Sequence, residues 1–228
     1  MQSLYSLLQI TDSLFPAGAF AHSGGLEGLL QTQQQTDGTA LWVIVESIWK
    51  QQLLRVDGLI GFHVHRAMRQ VELERVCTLD RQLTALKLTR ELRDASLQTG
   101  RSFITEAARL VPSPVLATLQ TQLLADESAG NYATAFMAVA AAAGVDEDPS
   151  FLAWGYQSIA QLSAALLRLG VVGHRVAARL VADMRSVVEE GLAMVRSFDA
   201  ANEVSGFAPL LEIASMVHEQ QYSRLFRS

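Results

Sequence analysis

The chain has 228 residues, 50% hydrophobic and 18% charged, a balance of globular proteins that excludes disorder as the main state. Eighteen basic residues against 23 acidic ones leave a formal net charge of −5, which argues against broad phosphate-backbone binding, so no nucleic-acid partner is expected. The single cysteine, Cys77, excludes a disulfide framework or a cysteine metal cluster and fits a reducing compartment.

The opening MQSLYSLLQITDSL lacks a basic leader and soon meets Asp12, so no signal peptide is read. It predicts a helix ending near Ser13. The segment SLFPAGAFAHSGGLEGLL then breaks the helical pattern with Pro16, Gly18 and the pair Gly24-Gly25 before a new helix opens near Leu26 and Glu27. Two readings stand side by side. One is a helix–loop–helix connection, with glycines at positive φ, Ser23 as cap and Glu27 complementing the helix dipole. The other is a binding loop that exposes Phe20 and His22 and offers backbone N–H groups to an anion. The glycines do not follow a phosphate-loop pattern.

In LWVIVESIWKQQLL, residues Leu41, Val45, Ile48, Trp49 and Leu53 recur at helical spacing, with Asp37 as an upstream cap. From Asp80 to Leu110 the pattern predicts one long helix, its apolar stripe running from Leu79, Leu83 and Leu86 through Leu88, Leu92, Ala95 and Thr99 to Phe103. Gly100 within it marks either a break or a close helix contact. Pro112 and Pro114 end the segment, because proline removes a donor and restrains its predecessor. Helical stretches follow at VLATLQTQLLAD, NYATAFMAVAAAAG and FLAWGYQSIAQLSAALLRLG. The alanines after Tyr132 carry so little bulk that a neighbouring helix backbone can approach closely. The apolar run FMAVAAAAGV is about half the roughly 20 residues a membrane span needs, so a soluble, cytoplasmic protein without membrane contact is expected.

Gly170 and Gly173 separate two strong helices and leave His174 and Arg175 at the start of the second. This is either a plain turn or a loop shown to a partner, where arginine can grip a phosphate or carboxylate in bidentate fashion. No strand pattern occurs, and no linker rich in Gly, Ser or Pro divides the chain. The expected fold is all-α: one domain over 1–228, a bundle of roughly eight to ten helices, with 219–228 as a docking tail.

Catalytic machinery is not visible. His63 and His65, two apart, diverge by about 200° on a helix and make a poor metal pair. There is no HExxH, GxSxG or zinc spacing, and Cys77 reads as a small apolar filler. No catalytic residue, metal site or cofactor is therefore expected. The terminus QYSRLFRS is unusual, because tails are commonly small and polar. Tyr222, Arg224, Leu225, Phe226 and Arg227 are instead the residue types that dominate interfaces. The tail either folds back on its own body or is held by another protein.

Three stretches together resemble the urease accessory protein F family (UreF). They are LLQITDSLFPAGAFAHSGGLE (7–27), ELRDASLQTGRSF (91–103) and IASMVHEQQYSRLFRS (213–228), in an order and spacing that suit the family over the full length. The chain departs from the pattern at Ala19 and Ala21, and at Gly173-His174, where the family tends to carry Gly-Gln. The resemblance implies an all-α helper without a reaction of its own, a homodimer that joins accessory protein D (H in some organisms) to the GTPase accessory protein G. It implies that this complex engages urease apoprotein and inserts nickel in a GTP-dependent manner. Tyr222, Ser223, Arg224, Leu225, Phe226 and Arg227 would then dock protein D, the tail ordering as it binds. Pro16, Gly18, Phe20, His22, Ser23 and Glu27, with Gly173, His174 and Arg175, would form further partner contacts. An alternative is direct control of the GTPase, with Arg175 as the donated group; an arginine supplied in trans accelerates such enzymes by roughly 10³ to 10⁵.

Overall fold

The computed structural model describes residues 2–18, 22–32, 38–198, 204, 206, 209–218 and 225–226. Within them the chain is helical and contains no strand: α1 Gln2–Thr11, α2 Leu26–Thr32, α3 Gly38–Ile48, a π-helical segment Trp49–Gly58, α4 Leu59–Arg69, α5 Leu73–Leu86, α6 Arg90–Leu110, α7 Pro114–Ala125, α8 Tyr132–Ala142, α9 Glu147–Arg168, α10 His174–Asp183, α11 Arg185–Ser197 and α12 Pro209–His218. The expected all-α bundle is thus observed. No helix among the described residues is long and apolar enough to cross a membrane.

The core is organised around α8. Every residue from Ala133 to Ala141 is buried, and α4 and α6 flank the helix closely because alanine offers almost no side-chain bulk. An aromatic group lies beside it: Trp49 stands 5.4 Å from Trp154 and 6.3 Å from Phe151, and Phe62 closes on Phe151 at 6.1 Å. Most of the buried apolar side chains form one continuous cluster that includes Leu7 and Phe226.

The single long helix read over 80–110 is two. It breaks at Lys87–Thr89, where the backbone turns extended. A buried ion pair, and no proline or glycine, lies at the break. Lys87 Nζ reaches inward to both oxygens of Asp57 at 2.8 Å, both side chains being 7% exposed. The π-helical segment, continuous with α3 and α4, carries Asp57 to that meeting point. Leu88, assigned to the apolar stripe, lies within the break and is 67% exposed. Gly100 is not a break. It is a close contact: a Cβ there would lie 2.2 Å from the Gly130 carbonyl oxygen and 2.5 Å from Tyr132 N.

His63 and His65 are both buried. His63 Nε2 lies 3.1 Å from the Phe198 carbonyl and His65 Nε2 2.9 Å from that of Val145. Each ties α4 to a distant segment. The Asp37 cap lies outside the described residues, as do Phe20, Tyr222, Ser223, Arg224 and Arg227.

Candidate partner-binding site

The loop after α1 is built from turns. Leu14 N donates to Asp12 Oδ1 at 2.7 Å, and Gly18, Gly24 and Gly25 all take positive φ (74°, 64° and 83°), a region nearly closed to other residues. Ser23 caps α2 through Glu27 N at 3.3 Å, as its place in the sequence predicts. Pro16 and Gly18 are exposed, and His22 is half-buried.

The mid-chain stretch holds this loop in place. Ser102 Oγ donates to the Pro16 carbonyl at 3.4 Å, and the rings of Phe15 and Phe103 lie 4.9 Å apart. Two other polar residues of the stretch serve the end of α7 and the start of α8. Arg101 collects four main-chain carbonyls at the end of α7 (Leu123, Leu124, Asp126 and Ala129, at 2.8–3.0 Å), placing a cation where the helix dipole is negative. Ser96 Oγ donates to Asn131 Oδ1 at 2.9 Å and accepts from Tyr132 N.

The carboxyl-terminal stretch arrives at the same place. Glu27, 3% exposed, accepts Leu225 N at 2.9 Å and Phe226 N at 3.0 Å. The Phe226 ring is 4% exposed and lies under Arg168, whose guanidinium carbon is 3.9 Å from the ring centroid. Of the two possibilities for the tail, these two residues take the first: they fold back on the chain's own body. Leu225 nonetheless faces outward at 60% exposure. Glu27 therefore does more than complement the α2 dipole. Arg168 was not singled out from sequence, because a cation in the last turn of α9 is locally no more than a dipole partner.

Gly173, His174 and Arg175 are exposed, and Gly173 forms the N-cap of α10. Beyond the loops, an open cavity of about 410 Å³ is lined by Tyr5, Leu8, Leu14 and Leu110, which are 72%, 61%, 89% and 47% exposed. Contiguous apolar surface of this kind marks interaction faces.

Beneath His22 lies a second cavity, of about 130 Å³, which also meets Ser96, Thr99, Tyr132 and Gln161 and has the Asp57–Lys87 pair in its wall. Burial raises the Tyr132 hydroxyl well above its ordinary range, and that hydroxyl donates to Gln157. Burial also raises the Cys77 thiol, and its Sγ lies 3.6 Å from Gln122 Oε1. Among the described residues no three His, Cys, Asp or Glu side chains are grouped to hold a metal ion.

Fold and surface thus define an all-α protein whose distinctive stretches meet at loops, exposed apolar side chains and a clasped terminus. The sequence matches the UreF family over residues 35–185. It is 32% identical to "Urease accessory protein UreF" of Arthrobacter sp. (strain FB24), covering 98% of this chain and 96% of that relative. It is 32% identical to the protein of the same name from Kocuria rhizophila (100% and 98% covered) and 28% identical to that from Bacillus sp. (strain TB-90) (100% of both). The chain belongs to the UreF family.

Proposed function

We propose that this chain is a cytoplasmic, non-enzymatic maturation chaperone for urease, a homodimer that bridges accessory protein D (H) and the GTPase accessory protein G while nickel is inserted into urease apoprotein with GTP hydrolysis. Residues 1–228 act as one helical domain, and 219–228 form its docking tail. The observation that carries this reading is family membership along the full chain, joined to a terminus that buries Phe226 and turns Leu225 outward. Leu225, 60% exposed beside the anchored Phe226, is placed to enter a partner's pocket, and a residue already held before docking has met much of its ordering cost of roughly 1–2 kcal/mol. The exposed Tyr5, Leu8 and Leu14 supply a second apolar face beside the Pro16–Glu27 loop.

The test is co-purification of accessory protein D with the wild type, with a chain lacking Gln221–Ser228, and with Leu225→Asp. Both variants stay helical and lose protein D. Complex formation unchanged in both refutes tail docking.

A second reading, direct control of the GTPase, draws support from His174 and Arg175, exposed at the start of α10. GTP turnover by protein G with wild-type and Arg175→Ala chains separates the two. An unchanged rate ends the regulator reading and leaves the bridge.

A further inference from the structure

We propose that Phe226 couples the chain terminus to the α9–α10 loop through Arg168, so that the state of the tail is read at His174 and Arg175. Arg168 is the last residue of α9. The helix closes immediately beyond it in a Schellman turn: Gly170 takes φ +72°, its N–H donates to the Leu167 carbonyl at 3.0 Å, and Val171 N donates to Leu166 at 3.1 Å. The backbone of Arg168 is thus embedded in the turn, while its guanidinium rests on the Phe226 ring 3.9 Å away.

On the far side Gly173 begins α10 at once, its carbonyl accepting from Val176 N and Ala177 N, each at 3.0 Å. Only the short link 169–173 separates the two anchored ends. The opposite side of the clasp is equally definite, because Glu27 holds the main chain of Leu225 and Phe226 from the first turn of α2. Glu27 and Arg168 thus both hold Phe226, one at its main chain and the other at its ring.

A partner that draws the terminus outward removes the ring from under Arg168. The last turn of α9 then opens more readily, and the link loses the fixed presentation of His174 and Arg175. Arg168 is a positioning residue in this arrangement. The coupling is a property of the isolated chain, so its failure would leave the bridging function untouched.

Hydrogen–deuterium exchange on the full-length protein tests it, comparing wild type with Phe226→Ala, Phe226→Leu and Arg168→Gln. Amides 169–176 should exchange about fivefold faster in both Phe226 variants, while those of α8 keep their native protection. Arg168→Gln should likewise speed exchange at Leu225 and Phe226. Phe226→Leu retains apolar bulk without the aromatic face and answers the question if Phe226→Ala does not fold. Native exchange at 169–176 in a folded Phe226 variant overturns the proposal, whatever Arg168→Gln does to its own turn.

Discussion

Glu27 and Phe226 are 199 positions apart in sequence, yet the carboxylate of the first accepts the main-chain N–H of the second at 3.0 Å. With Leu225 N on the other oxygen, a buried charge receives two donors that no local segment supplies. Charge-assisted hydrogen bonds of this kind contribute about 1.5–3 kcal/mol each. Glu27→Ala should therefore destabilise the chain by about 2–3 kcal/mol in urea denaturation and speed proteolytic clipping of the terminus. Unaltered clipping would show that the clasp does not hold the tail.

Gly100 is predicted to be intolerant of any side chain. Its missing Cβ would lie 2.2 Å from Gly130 O and 2.5 Å from two further backbone atoms, none of which can swing aside as a side-chain tip can. Gly100→Ala should cost about 3 kcal/mol or more, although alanine is the better helix former. Equilibrium unfolding measures it, and a neutral or stabilised variant would contradict the packing of α6 on the Gly130–Tyr132 turn.

The Asp57–Lys87 pair is buried on both sides, so breaking it strands a charge. Lys87→Met should destabilise by about 3–5 kcal/mol, whereas the double variant Asp57→Leu, Lys87→Met should recover most of that loss. A thermodynamic cycle over the four proteins reads the coupling. Additive losses would mean that the two charges are not coupled at the turn between α5 and α6.

Arg101 serves four carbonyls from a single planar group, a fork that lysine lacks. Arg101→Lys should recover less than half of the roughly 2–4 kcal/mol lost in Arg101→Met. The same comparison by accessory-protein pull-down should show no loss of binding beyond what instability explains, because the group faces the chain's own backbone.

His65 sets a pH limit. Burial lowers its pKa below the ordinary 6.5, the Val145 carbonyl, Glu147 and Asp146 oppose that shift, and Arg69 adds to it. The folded state thus prefers the neutral ring, with Nε2–H donating to Val145 O and Nδ1 buried without a partner among the described residues. The contribution of His65 to stability is full above pH 6.5 and is lost as pH drops below it, because the unfolded chain takes the proton first. Glu147, held low by Arg66, adds a separate loss only below its ordinary 4.5. His65→Gln keeps a donor for Val145 and should flatten the first slope while leaving the second. A wild-type stability unchanged from pH 7 to 5.5 would refute the assignment.

Much of this molecule is legible locally. Helical periodicity, the alanine run of α8, the prolines before α7 and the Ser23 cap depend on near neighbours, and each is found where those neighbours place it. The split at Lys87 was hidden because the residue Lys87 pairs with there, Asp57, lies two helices away. The partners of His63 and His65 were hidden for a related reason: the carbonyls of Phe198 and Val145, which make burial tolerable, are distant in the chain.

From its amino-acid sequence alone this protein determined its helical class and the stretches by which its family is recognised, because short-range sterics, turn chemistry and a recurring apolar face act within a few residues. Only the tertiary structure decided that Ser102 and Phe103 are scaffolding for the loop at Phe15 and Pro16, that Phe226 is an internal anchor, and that Leu225 is the side chain turned outward. Those assignments rest on contacts between residues far apart in the chain, and which side chain is covered depends on what the fold brings to it.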